Sequence, residues 1–298
     1  MLSDRLNFHH LHYFWAVAHD GNLTRTAKSL LVSQSALSTQ IRQLEQKLGE
    51  ELFVREGRRL VLTEAGRLVL GYADGIFAAG AELLSTLDRG REQGETLRIG
   101  TVATLSRNFQ ESFIDPLLGS MDVRLALHSG SFDDLVERLS QHAIDLVLSN
   151  RPSPSSPDSG LRCRRVATQP VSLIGHERRE SFRFPDDLAD ASLLVPGADS
   201  DIRTEFDALC EQLGVAPRIL AEVDDMATMR LLARDTKAIA LLPSVVVRDE
   251  LRQGVLHEYC VVPALVENFY AITIERHYPH PLLRSLLSRS ESEILGPI

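Results

Sequence analysis

Residues 23–62 constrain this chain more than any other stretch, because they require two short helices joined by a turn of only two residues. Leu23, Ala27, Leu30 and Leu31 give the first helix one apolar side, and Val32 and Ser33 make the turn. Leu37, Ile41, Leu44 and Leu48, spaced four, three and four apart, give the second helix a single apolar stripe. Ser33 is a good N-cap for that second helix, since its hydroxyl can accept an otherwise orphan backbone N–H, and Gly49 ends it. A helix from Phe8 to Asp20, with Leu11, Phe14, Trp15 and Ala18 as its buried side, precedes the pair and breaks at Gly21-Asn22. After the pair, Leu52–Val54 and Leu60–Leu62 read as two short strands with Glu56-Gly57 between them. The segment is a helix-turn-helix with a two-stranded wing.

The outer side of the second helix carries Ser35, Ser38, Thr39, Arg42 and Gln46, with Gln34 at its start. Five hydrogen-bonding side chains and one charge make an unusual solvated face, which is ordinarily richer in Glu and Lys. An α-helix fits the major groove of B-DNA, where Arg, Gln and Ser meet base edges. Arg55, Arg58 and Arg59 fall near the tip of the wing, where they can hold phosphates, as can Ser33 and the helix start. The chain has a net charge of −9, which argues weakly against nucleic acid, but the charge is uneven. Residues 1–67 hold nine Lys and Arg against seven Asp and Glu, a net of +2, and the remainder carries −11. A mildly basic head on an acidic body is compatible with a local DNA-binding surface. His9, His10 and His12 lie close together, but no Cys or carboxylate is spaced to complete a metal site, and they read as a surface cluster.

Thr63 caps a long helix over about 64–89. Val69, Ala73, Ile76, Gly80, Leu83 and Leu87 alternate four and three apart in it, a heptad seam with small residues at Ala73 and Gly80. Packing on its own domain is one use for such a seam; self-association is the better expectation for a helix between two domains. RGREQGE, residues 89–95, is a linker by composition, and LRIGTVATL then begins an alternation of strands and helices. Strands are expected at 97–102, 123–128, 144–149, 162–167, 171–175, 192–195, 217–222, 238–242 and 268–275, and helices at 105–117, 131–141, 201–213, 225–234, 243–252 and 281–289. Such alternation implies α/β sheets with helices on both faces. A length of 298 residues suits two or three domains. Cys163, Cys210 and Cys260 have neither metal-ligand spacing nor a CxxC and read as packing residues. The apolar runs are too short to cross a membrane, and the first residues lack the charged and apolar regions of a secretion signal. A cytoplasmic protein with reduced thiols is expected.

In open α/β sheets ligands sit at the carboxyl ends of strands. Thr101, Thr104, Ser129, Ser131, Ser149 and Asn150 fall at such ends and could line a small-ligand cleft, cap helices, or do both. Gly100-Thr101-Val102-Ala103-Thr104 has one glycine and is neither a dinucleotide fingerprint nor a P-loop. Asp224-Asp225 could bind a cation or act as acid and base, but an Asp there more often caps the following helix. With no GxSxG elbow and no nucleophile–base pair, an enzyme with an accessory N-terminal domain is the weaker reading, and no cofactor or resident metal is expected.

The stretch GNLTRTAKSLLVSQSALSTQIRQLEQKLGEELFVREGRRLVLTEAG resembles the N-terminal signature of the LysR-type transcriptional regulators, and the likeness extends over nearly the whole chain. HLHYFWAVAHDG, LLVPG, EVDDMATM and FYAITIERHYPHP resemble the subgroup that activates sodium/proton antiporter genes. The resemblance implies a winged helix-turn-helix over 1–63, a dimerising linker helix over 64–90 and a hinge at 91–96. It further implies an α/β effector domain of two Rossmann-like lobes of the type II periplasmic-binding-protein kind, lobe I over 97–167 and 268–298 and lobe II over 168–267. The effector, a small molecule or ion, would lie between the lobes, near Thr101, Thr104, Ser129 and Asn150 of the first and Pro196, Asp199, Asp225 and Met226 of the second. The implied partners are double-stranded promoter DNA, a second copy in a dimer or a dimer of dimers, and RNA polymerase; no membrane is implied. Two positions depart from the family pattern: Ser35 stands where Pro is usual, and Thr39 where Arg or Lys is frequent.

Overall fold

A computed structural model describes residues 6–56, 59–89, 95–119, 122–153, 160–177, 182–276 and 278–296. The chain packs as two units, Met1–Leu84 and Ser85–Ile298.

The first unit begins with α1 (Phe8–Asp20), capped by Asn7 through the N–H groups of His9 and His10 and closed at Gly21 in the left-handed conformation at φ 66°. Asn22 caps α2 (Leu23–Ser29), and Ser33 caps α3 (Gln34–Leu48) by accepting from the Ala36 N–H. Leu37 and Leu44 are fully buried, Ile41 nearly so, and they meet Leu11, Phe14 and Val17 of α1. Val17 takes the place expected for Ala18 on the buried side of α1, and Trp15 is only half-buried. The wing is β1 (Phe53–Glu56) antiparallel to β2 (Arg59–Leu62), with Phe53 opposite Leu62. Glu45 fastens it to α3 by accepting from the N–H groups of Leu52 and Phe53, at 2.9 and 3.3 Å.

The histidines are not simply a surface cluster. His10 is buried, and His12 stacks on Trp15 and meets the edge of Phe77 at 5.8 and 5.4 Å. Burial lowers the pKa of both, with the Lys47 charge adding to the effect at His10 and that of His9 at both. Among the described residues no three His, Cys, Asp or Glu converge as a metal site.

Helix α4 (Glu64–Arg89) starts on Thr63, whose hydroxyl accepts from the Gly66 N–H at 2.8 Å and donates to the Glu51 carbonyl at 2.6 Å. Its seam divides. Ala73 is fully buried, and Val69 and Ile76 pack on the same core of their own unit. Leu83 and Leu87 are exposed, as are Leu68, Tyr72 and Leu84. This corrects the single seam expected over Val69–Leu87: its first half is used within the unit, and the outward row starts one residue earlier, at Leu68 and Tyr72.

The second unit holds one eight-stranded sheet in the order β4-β3-β5-β10-β6-β9-β7-β8. The strands are β3 (Glu95–Val102), β4 (Val123–Gly130), β5 (Leu146–Ser149), β6 (Leu161–Gly175), β7 (Ser192–Pro196), β8 (Arg218–Val223), β9 (Ile239–Pro243) and β10 (His257–Ile274). Parallel strands β4-β3-β5 form one half and β9-β7-β8 the other, with β6 and β10 running antiparallel to each other through both. Helices α5 (Arg107–Leu118), α6 (Phe132–Ser140), α7 (Asp201–Leu213), α8 (Met226–Asp235), α9 (Arg248–Arg252), α10 (Pro281–Leu287) and α11 (Glu291–Leu295) cover it. The stretches expected as separate strands at 162–167 and 171–175 are one strand, and residues 257–262, not expected to be extended, open β10. Pro263 hid that strand. It lies in an irregularity between Val261 and Val266 where the ladder is interrupted and Ala264 has φ 62°, so a residue without an N–H is tolerated there. The two halves share a core in which Phe109 of α5 stacks on Phe269 of β10 at 4.1 Å. No helix is long and apolar enough to cross a membrane among the described residues.

Candidate functional site

Two places gather the residues singled out in the sequence. The first is the outer side of α3. Ser33, Gln34, Ser35, Thr39, Arg42 and Gln46 are exposed and Ser38 is half-exposed. The start of the helix is organised: the Ser33 and Ser35 hydroxyls are 3.0 Å apart, and Thr24 of α2 donates to Gln34 Oε1 at 3.2 Å. The Thr39 hydroxyl donates to the Ser35 carbonyl at 2.8 Å. Its proton is therefore committed, and what Thr39 presents outward is a methyl and acceptor lone pairs. Arg42 has no ion-pair partner among the described residues. By contrast Arg25 is bound to Asp20, whose carboxyl that hydrogen bond holds below the usual carboxylate range. Arg55 is exposed on the wing; Arg58 lies outside the described residues, and of Arg59 only the backbone is described, opposite Glu56.

The second place is a cleft of about 360 Å³ at the carboxyl ends of the parallel strands. Thr104, Asn150, Pro196, Asp199 and Met226 line it, whereas Thr101, Ser129 and Asp225 do not. Thr101 is buried inside the sheet and donates to the His128 carbonyl at 3.4 Å, and Ser129 is exposed away from the cleft. Asp225 caps α8, accepting from the N–H groups of Ala227 and Thr228 and from the Thr228 hydroxyl at 3.2, 3.1 and 2.9 Å. Burial works against its charge, but those bonds and nearby Arg107 leave its carboxyl below the ordinary range. It is Asp224, the other half of the pair, that faces the cleft. These placements correct the expectation for Thr101, Ser129 and Asp225: each spends its side chain on the fold or points elsewhere.

Glu267, which the sequence reading missed, lies on the cleft wall, as do Arg151, Glu205 and Tyr270. Thr104 donates to Asn150 Oδ1 at 3.2 Å, and Asn150 Nδ2 donates to Glu267 Oε1 at 3.1 Å. Glu267 is 4% exposed, and its second oxygen, Oε2, is buried without a hydrogen-bond partner. Burial pushes its carboxyl up to about 7, with the Asn150 bond acting in the opposite direction. In a strand alternate residues share a face, so Glu267 had to lie with Phe269 and Ala271, both of which are buried.

Both segments match known families. Residues 8–67 match the bacterial regulatory helix-turn-helix protein of the lysR family, and residues 90–293 match the LysR substrate binding domain. The transcriptional activator protein NhaR of Escherichia coli is 28% identical over 298 residues, covering 100% of this chain and 99% of that protein. Among solved structures, DarR of Vibrio fischeri in complex with DNA is 19% identical with a TM-score of 0.51, covering 95% of this chain and 97% of that one. A full-length OxyR variant of Pseudomonas aeruginosa is 18% identical with a TM-score of 0.55, covering 97% and 94%. With both segments matched, on either side of α4, the chain belongs to the LysR family of transcriptional regulators.

Proposed function

We propose that the chain reads DNA through α3 and grips its backbone through the wing, as a cytoplasmic regulator whose action on a promoter is set by a ligand in the cleft. The observation that carries this reading is the exposed, donor-rich side of α3, held on one side by the Ser33 cap and on the other by Glu45 bonded to the wing. Arg42 and Gln34 meet base edges, Ser35, Ser38 and Thr39 complete the face, and Ser33, Arg55, Arg58 and Arg59 hold phosphate. Thr39, presenting a methyl and acceptors, suits a thymine edge or a donor better than a phosphate. Two copies joined through the outward row of α4, Leu68, Tyr72, Leu83, Leu84 and Leu87, would read two half-sites one helical turn or a multiple apart. Activation of a promoter is the direction that the likeness to NhaR, a transcriptional activator, favours. The lobes' cleft, with Thr104, Asn150, Pro196, Asp199 and Met226 on its walls, is the effector site.

The test separates base reading from phosphate gripping. Arg42→Ala is expected to weaken binding to the preferred sequence by about 1–3 kcal/mol and to relax its specificity, leaving non-specific binding nearly unchanged. Arg55→Ala is expected to weaken binding to all duplexes alike and to flatten the slope of log K against log salt by about one ion. Mobility-shift titrations at several salt concentrations distinguish the two. An Arg42 variant that loses affinity equally for all sequences would contradict the assignment of α3.

A further inference from the structure

The cleft has a chemical bias that restricts what it can hold. Among the described residues one cationic side chain, Arg151, lines it, against five carboxyl groups: Asp199, Asp201, Glu205, Asp224 and Glu267. Arg151 is turned over the ring of Phe132, with its guanidinium carbon 5.7 Å from the ring centre. Arg203 reaches the Pro196 carbonyl at 3.4 Å but is paired with Asp207 and Glu222, and the charge of Arg107 acts on Asp225, which does not line the cleft. Acidic side chains on a surface are ordinarily solvated and recognise nothing, but Glu267 is different. Its Oε1 is held by Asn150, itself held by Thr104, so the carboxyl is fixed in place, and its Oε2 is buried with nothing bound to it. A buried polar atom left unpaired costs about 1–3 kcal/mol; because Glu267 lies on the cleft wall, a ligand that brings a donor and displaces the cover over Oε2 relieves that cost.

We infer that the cleft takes a small organic cation, with an ammonium or comparable N–H donor placed on the free Oε2 of Glu267 and its charge balanced by the surrounding carboxylates. This rests on the reading of the cleft as the effector site. The size of the cleft, about 360 Å³, suits a small organic molecule and is far more than a bare ion fills. Among the described residues no three His, Cys, Asp or Glu converge to coordinate a metal ion. A dicarboxylate would meet Asp199, Asp201, Glu205 and Asp224, with Glu267 added once it is ionised, against the single opposite charge of Arg151.

The same geometry gives the site a pH dependence. Glu267 accepts a cation best when ionised, and burial holds its carboxyl up to about 7, against 4.5 for a free glutamate. The raised value means that the folded chain keeps on Glu267 a proton that the unfolded chain gives up, so stability falls as pH rises from about 4.5 to about 7, the cost of keeping the carboxyl away from water. A bound cation returns that cost, so binding releases a proton below about pH 7. Affinity should therefore fall about tenfold for each pH unit below 7 and level off above it. Asp199, Asp201, Glu205 and Asp224, exposed on the cleft lining, strengthen the attraction for a cation.

The test uses the full chain. Putrescine, agmatine and ethanolamine are titrated by calorimetry and by thermal shift at pH 8 and pH 6, alongside succinate, sodium chloride and potassium chloride. At least one amine is expected to bind, about tenfold or more weakly at pH 6, and to bind Glu267→Gln at least tenfold more weakly at pH 8 with the pH dependence removed. Gln matches the size of the neutral acid, so the unliganded variant should melt at or above the parent. Footprints with and without the bound amine follow. No binding by any amine, sodium-specific binding alone, or amine binding that Glu267→Gln leaves unchanged would overturn the inference. Succinate binding that Arg151→Ala abolishes and that alters the footprint would overturn it too, while leaving the effector cleft standing. An amine that obeys the Glu267 criteria yet leaves every footprint unaltered would support the cation site and contradict its role as the effector site.

Discussion

Replacing Asp145 by Ala is expected to destabilise the effector unit by about 3–5 kcal/mol, the usual result of leaving one partner of a buried ion pair uncompensated. Asp145 and Arg276 are 1% and 2% exposed at their side chains and meet at 2.8 Å between Oδ1 and Nη1. The second carboxylate oxygen accepts from the Arg98 N–H of β3 at 2.9 Å, and Arg276 also donates to the Ile144 carbonyl at 2.9 Å. One carboxylate thus ties the start of β5 to β3 and to the chain leaving β10. Arg276→Ala should cost a similar amount, because it strands Asp145. Exchanging both for apolar residues of similar volume should cost far less than either single change, since the loss comes chiefly from the orphaned charge. Urea unfolding of the full chain, followed through the effector unit, reads this directly. Single variants within 1 kcal/mol of the parent would mean that water reaches the pair and screens it.

The second large effect lies in the other unit, at a glycine. Gly66 stands in the first turn of α4, and a Cβ built on it would lie 2.1 Å from the Leu52 carbonyl oxygen and 3.0 Å from both the Leu52 carbonyl carbon and Leu62 Cδ2. The obstruction is backbone that already accepts from the Thr63 N–H at 3.0 Å, so no rotamer change relieves it. Gly66→Ala gains up to about 1 kcal/mol in helix propensity but overpacks the junction at the upper end of the usual range, about 3 kcal/mol. The net expectation is a loss of about 2 kcal/mol in thermal or urea unfolding, accompanied by weaker DNA binding as the wing is pushed off Glu45. A neutral or stabilising Gly66→Ala would show that α4 does not approach Leu52 this closely.

Much of the fold was legible because its periodicities are strong. The stripe Leu37, Ile41 and Leu44 and the caps Ser33 and Gly49 specify α3 almost to the residue. The parallel strands announce themselves as short apolar runs between helix caps. What was illegible depended on contacts distant in sequence. The heptad spacing of Val69, Ala73 and Ile76 looks the same whether the partner is a second copy or the helix's own unit, and only the presence of Leu11 and Phe14 beside it decides. Thr101 and Ser129 sit one residue before the ends of their strands, where the alternation turns them away from the cleft, while Thr104 lies beyond the strand end and reaches it. Asp224 and Asp225 illustrate the same limit, since one-residue resolution is needed to say which caps and which faces the ligand. Glu267 was hidden for a different reason: an acid in a strand reads as surface unless its alternation partners are known to be buried.

In the proposed function α3 of a two-copy assembly reads sequence. Selecting sites for the full chain from random duplex DNA tests it most directly. The expected result is an enriched pair of half-sites whose centres lie one helical turn, about 10–10.5 base pairs, or a multiple apart, with Arg42→Ala losing that preference. Enrichment of no sequence, or of the same sequence by Arg42→Ala at undiminished affinity, would contradict it.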